Sequence, residues 1–209
     1  MTDTSRHIAW QLQSLLLGYP DDALRERLPL VRTAAGTLPE RWRRPLLSFV
    51  DYAEATPLFE LTADYVTTFD HHKRLSPYLT YFTHGDTRNR GMALLRLKDT
   101  YRRAGLALGE GELPDHLSVL LEFAATRPRA GEQLLAEFRT ALELLRAGLN
   151  DAGSAWAGVL DSVSATLPPL NSRRHQRIAR LAAAGPPVES VGLPAFSPVG
   201  PICDGETPS

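Results

Sequence analysis

From about Thr4 to Leu167 apolar residues return every three or four positions, and no convincing stretch of alternating apolar and polar residues competes with them. That period lines the apolar side chains along one stripe of an α-helix. Helices of this kind are stable in water only when their stripes bury one another. An all-α bundle is therefore the expected fold.

Ile8, Leu12, Leu15 and Leu16 share the stripe of a first helix, about Thr4 to Leu17. Gly18 is expected as its left-handed cap, and Pro20 blocks continuation. Asp21 or Asp22 can cap a second segment striped by Leu24, Leu28 and Val31, which Pro29 should kink or split. A third helix, roughly Glu40 to Ala55, carries Leu46, Val50 and Ala53. Thr56 and Pro57 read as N-cap and first residue of a fourth, with Leu58, Leu61, Tyr65 and Phe69 on one face. From Asp70 to Asp86 the pattern breaks into a polar, His-rich stretch around Pro77, expected to be a long loop ordered by Tyr78, Tyr81 and Phe82.

A fifth helix, about Thr87 to Ala104, turns Leu94, Leu97 and Tyr101 inward and stops at Gly105. Glu112 to His116 opens a sixth, with Pro114 at its first position, Asp115 favoured by the helix dipole, and Leu117, Leu120, Leu121 and Ala124 as stripe. A seventh, near Ala130 to Leu149, is the clearest, and an eighth holds Trp156, Leu160, Val163 and Leu167. An Arg-rich ninth is expected from about Ser172 to Ala184, after which glycine and proline dominate. The expectation is one bundle of about eight or nine helices over residues 1–184 and a flexible tail over 185–209.

Charge and composition remove several functions. A formal net charge of −1 over 209 residues offers no basic face to neutralise phosphates, so nucleic acid is not an expected partner. No apolar run approaches the ~20 residues that span a bilayer, and the N-terminus has no signal-peptide pattern. A cytoplasmic location without stable membrane insertion is expected. The single cysteine, Cys203, excludes an internal disulfide and a cysteine-based zinc site.

No phosphate loop, dinucleotide turn, nucleophile elbow or HExxH motif occurs, so no catalytic residue is assigned. His71, His72, His84 and His116 lack helical i, i+4 ligand spacing with a supporting carboxylate, and metal binding is not expected. A helical chain without a catalytic constellation points to binding. His116 is conspicuous, because a potentially cationic group at a helix N-terminus runs against local preference.

Four elements occur in order: Leu16-Leu17-Gly18-Tyr19-Pro20-Asp21, the aromatic turn from Tyr65 to Phe69, His84-Gly85-Asp86-Thr87-Arg88-Asn89-Arg90-Gly91-Met92-Ala93, and Glu112-Leu113-Pro114-Asp115-His116-Leu117. Together they resemble the NarJ family, the nitrate reductase delta subunit or molybdenum cofactor assembly chaperone. That family sits within the TorD/DmsD-like redox-enzyme maturation chaperones. The resemblance reaches to about Leu167 and implies a helical, cytoplasmic protein that is not an enzyme. It would bind the N-terminal peptide of the apo nitrate reductase catalytic (alpha) subunit and keep it competent for molybdenum cofactor and iron–sulfur insertion before membrane docking. It would hold no cofactor permanently; cofactor-delivery proteins are further candidate partners. The implied client site is a groove around Tyr65, Phe69 and Tyr78 with Asp115 and His116 at its rim, to which Leu117 and Leu121 could add apolar anchors. A related chaperone for another exported molybdoenzyme and a helical DNA-binding regulator are the alternatives.

Overall fold

The structure, a computed structural model, describes residues 3–85, 87–109 and 111–170, together with Gln176, Ile178 and Arg180. The helices are α1 (Asp3–Leu17), α2 (Asp22–Ala35), α3 (Glu40–Ala55), α4 (Leu58–Phe69), α5 (Leu79–His84), α6 (Arg88–Arg103), α7 (Leu117–Thr126), α8 (Pro128–Glu137), α9 (Arg139–Asp151) and α10 (Trp156–Thr166), with one 3-10 turn at Lys73–Leu75. No strand occurs among the described residues, so the all-α expectation holds. The expected ninth helix and tail fall outside the described residues, except that Gln176, Ile178 and Arg180 are helical.

Helix α1 packs on α7, α10 and α2, while α10 also packs on α3 and α9. The reason is compositional. α7 buries Leu117, Leu120, Leu121, Phe123 and Ala124, and α10 buries Trp156, Val159, Leu160 and Val163. A helix apolar over so much of its circumference must be surrounded. Several polar groups trapped between these helices are paired, although the Gln13 Oε1 accepts no bond among the described residues. Trp10 Nε1 donates to Thr166 Oγ1 (3.0 Å), Gln13 Nε2 to Ser162 Oγ (2.9 Å), Ser162 Oγ to the Trp42 carbonyl (2.9 Å) and Trp42 Nε1 to the Ala165 carbonyl (2.8 Å). Buried donors of this kind are costly to leave unmade, so they fix the register of α1, α3 and α10.

Several local expectations are corrected. Gly18 is not left-handed; Trp156 Nε1 and Tyr65 OH donate to the Leu16 and Leu17 carbonyls (3.1 and 3.2 Å), doing the work of a glycine cap. Pro29 does not split α2, because it lies on the exposed side while Leu24, Leu28, Val31 and Ala35 stay buried. Thr56 does not cap α4; its hydroxyl donates to the Tyr52 carbonyl (2.7 Å) and closes α3. The stretch expected as a loop contains the 3-10 turn and α5, which buries Leu79, Thr80 and Phe82. Gly85 ends α5 at φ 58°, a backbone state that costs a residue with a Cβ more than glycine.

The long seventh helix is two helices. Phe138 (φ −84°, ψ 8°) separates α8 from α9, and the halves have different partners, α7 for α8, and α10 and α5 for α9. Gly131 makes the first contact possible: a Cβ there would stand 2.2 Å from the Ala124 Cα. Buried Arg139 and Glu143 (3.0 Å) stand at the start of α9, where Glu143 also accepts from Ser164 Oγ (2.6 Å) and Arg146 (2.8 Å).

Candidate functional site

Two segments far apart in sequence make one wall of a cleft. Leu79 N donates to the Asp115 carbonyl (3.0 Å) and Leu117 N to the Pro77 carbonyl (2.9 Å), so Tyr78 and His116 form an isolated antiparallel bridge. Their rings meet edge to face at 5.2 Å. The opposite wall is built by Gly18 and Tyr19, which follow α1, and by Tyr65 and Asp70 of the α4 end. Between the walls lies a cleft of about 420 Å³, completed by Glu112, Leu113, Ser118 and Val119. A second recess of about 260 Å³, lined by Leu106, Leu108, Phe123 and Thr126, shares Glu112 and Val119 with it. The depression thus continues along α7.

Tyr19 is 57% exposed and stacks edge-on against Tyr65 (5.5 Å), which contacts Phe69 (4.7 Å) and Trp156 (5.6 Å). Burial pushes the Tyr65 phenol well above its ordinary range, which keeps it the neutral donor that the Leu17 carbonyl requires. Burial also raises the Tyr78 phenol, with the Asp115 charge adding to it.

The structure resolves the oddity of His116. It is the N-cap of α7: its Nδ1 accepts from Ser118 N (3.2 Å) and faces Ser118 Oγ at 2.6 Å. That role needs a lone pair at Nδ1, so the network assigns the neutral ring with its proton on Nε2. Burial lowers its pKa in the same direction, against the opposing charges of Asp115, Glu112 and Asp70. Pro114 and Asp115 consequently precede the helix rather than open it, which corrects the expected start.

Of the residues chosen from sequence, Tyr65, Tyr78 and His116 line the cleft. Four other chosen residues do not. Leu117 and Leu121 are fully buried in the core, and Phe69, 4% exposed, backs Tyr65 against Trp156. Asp115 is 0% exposed and faces away from the rim: its Oδ2 accepts from Thr80 Oγ1 and lies 3.7 Å from the Arg90 guanidinium. Leucines at helical spacing carry no mark that separates a groove from a core, and an acid before a helix reads as dipole-stabilised wherever it points. Missed from sequence were Tyr19, Asp70, Leu113, Ser118 and Val119 as lining residues, and Thr80 and Arg90 behind the wall. Tyr19 and Arg90 lay inside motifs already singled out; Thr80 had no signal. Among the described residues no cluster of three or more His, Cys, Asp or Glu could hold a metal, and no helix is long and apolar enough to cross a membrane.

Residues 35–161 match the family model described as nitrate reductase delta subunit. The chain belongs to that family. It is 34% identical to the protein of Bacillus subtilis named as nitrate reductase molybdenum cofactor assembly chaperone NarJ, over 83% of this chain and 95% of that one. It is also 34% identical to the NarJ chaperone of Escherichia coli, over 71% of this chain and 64% of that protein. A solved structure from Archaeoglobus fulgidus, assigned as a redox enzyme maturation protein, superposes with a TM-score of 0.58 at 25% identity, covering 76% of this chain and 91% of that one. As a member of the nitrate reductase delta subunit family the chain is an assembly chaperone and not an enzyme.

Proposed function

We propose that this delta-subunit-family chain receives the N-terminal peptide of the apo nitrate reductase catalytic subunit in the Tyr19/Tyr65–Tyr78/His116 cleft. In doing so, in the cytoplasm, it keeps the subunit competent for molybdenum cofactor and iron–sulfur insertion before membrane docking. The observation that carries the reading is the cleft itself. Three tyrosines with Leu113 and Val119 offer apolar area to an amphipathic segment, while His116, Asp70 and Glu112 offer polar groups that set its register. The second recess extends this surface beyond His116; from there to Phe123 along α7 is about 10 Å, so one peptide of two helical turns would engage both.

Asp70 and Glu112 are charged groups of the cleft, with no Lys or Arg among its described lining residues, which favours a cationic segment. That observation also supports a second reading, a client exported with a twin-arginine signal. Calorimetric titration with the two synthetic peptides, one from the nitrate reductase catalytic subunit and one a twin-arginine signal, separates them. Binding of the first alone is the expected result, and binding of the second alone reassigns the client. In cells, loss of the chain should leave the reductase polypeptide present but poor in molybdenum cofactor; normal loading would refute the reading.

A further inference from the structure

Asp115 and Arg90 come from the two motifs of the sequence with the most charged and polar residues, yet neither lines the cleft. They meet behind its wall. Arg90 reaches from α6 so that its guanidinium carbon lies 5.8 Å from the centre of the Tyr78 ring, and its Nε donates to Thr80 Oγ1 (3.3 Å). Thr80 Oγ1 in turn donates to the buried Asp115 Oδ2, 3.7 Å from the same guanidinium. The Tyr78 ring is thereby bracketed, with the Arg90 cation over it and the His116 ring edge-on at 5.2 Å. The backbone bridge holds the Tyr78 main chain, and these side-chain contacts set the direction in which its ring enters the cleft.

We propose that Arg90 and Asp115 are positioning residues that orient Tyr78, making Tyr78 the specificity-determining wall for an aromatic or aliphatic side chain of the bound segment. The inference rests on the peptide-binding reading and deepens it. A carboxylate without exposed surface makes no contact with a ligand in the cleft, so its effect passes through Thr80, Arg90 and Tyr78. The gain is preorganisation. A tyrosine already held in one rotamer loses no further side-chain freedom when the segment docks, whereas a free one does.

The test is a double-mutant cycle on the full chain, read by titration with a synthetic peptide of the N-terminal segment of the nitrate reductase catalytic subunit. Ordering one side chain costs about 0.5–1.5 kcal/mol, so Arg90→Gln should weaken binding about two- to tenfold. In a Tyr78→Ala background the same substitution should cause no further loss, and Arg90→Lys should recover part of it in the parent. A merely structural role predicts that the two losses add, and that result overturns the proposal. A second measurement needs no ligand: in the free chain, Arg90→Gln and Asp115→Asn should shift the NMR signals of the Tyr78 ring toward averaged values while those of Tyr65 stay fixed. An unchanged Tyr78 ring also overturns the proposal. If the parent chain ignores the peptide, the functional reading fails, and the ring signals alone decide the positioning role.

Discussion

Replacing His116 by Asn should remove a defined part of the pH dependence of stability. Asn retains a side-chain acceptor for the N-cap of α7 but has no proton to gain. In the parent, burial holds the folded-state pKa of His116 below its ordinary 6.5. The folded chain therefore binds fewer protons than the unfolded chain once the pH drops below that value. Its contribution is complete above about pH 6.5 and is lost as the pH falls through the unfolded value toward the folded one. One proton taken up only on unfolding changes stability by up to about 1.4 kcal/mol per pH unit. For a chain of this size that is about 3–6 °C in Tm per unit. Urea unfolding followed by circular dichroism at about pH 7.5 and about pH 5.5 should show a smaller loss for His116→Asn than for the parent, since the other histidines are common to both. His116→Ala should lose about 1 kcal/mol already at the higher pH, because the cap acceptor is gone. An identical fall for parent and His116→Asn would refute the neutral-cap account.

Phe69→Ala removes a ring packed between Tyr65 and Trp156, so it should cost about 3–5 kcal/mol in urea unfolding, an effect on the fold before any on peptide affinity. Gly131→Ala would set a Cβ 2.2 Å from the Ala124 Cα; backbone against backbone cannot yield cheaply, and a loss of about 1–3 kcal/mol or more is expected in the same assay. Glu143→Ala removes the carboxylate 3.0 Å from the buried Arg139 guanidinium and should cost about 3–5 kcal/mol, well above Asp161→Ala, whose carboxylate is 41% exposed. We further propose that residues 1–184 fold without the rest: a chain ending at Ala184 should keep its helical circular dichroism and its Tm, and a large fall in either would show that the tail packs on the helices.

Helix positions were mostly legible in the sequence where a stripe ran for three turns or more. α3, bounded by Glu40 and Ala55, falls where its spacing puts it. What stayed hidden was the work of side chains from elsewhere in the chain. Nothing local in Leu16-Leu17-Gly18 says that Trp156 and Tyr65 will take over its last carbonyls, and nothing in the run from Ala130 to Leu149 says that its halves will turn to different neighbours at Phe138. α5 is six residues long, too short for a period to declare itself. The cleft was half legible for the same reason. Tyr65, Tyr78 and His116 stood out by residue type in unusual places, whereas the burial of Asp115, Leu117 and Leu121 is decided by α5, α6 and α1, through contacts that no spacing encodes.

The two sides of the cleft differ in mechanical character. Tyr65 is fastened to the end of α1 and to Trp156, and α1 and α10 are locked together with α3 by hydrogen bonds that tolerate no sliding. That side is an anvil. The facing side joins the short helix α5 to the turn before α7 through two backbone hydrogen bonds, the buried Asp115 carboxylate, and Tyr101 OH donating to the Pro114 carbonyl (2.7 Å). Any widening of the cleft to admit a bulkier segment is expected from the Tyr78 side, carried by the six-residue α5, because displacing the anvil would break the register of three helices at once. A spectroscopic label on α1 should therefore keep its place even when a bulkier segment binds, and any displacement that segment causes should be read on the Tyr78 side.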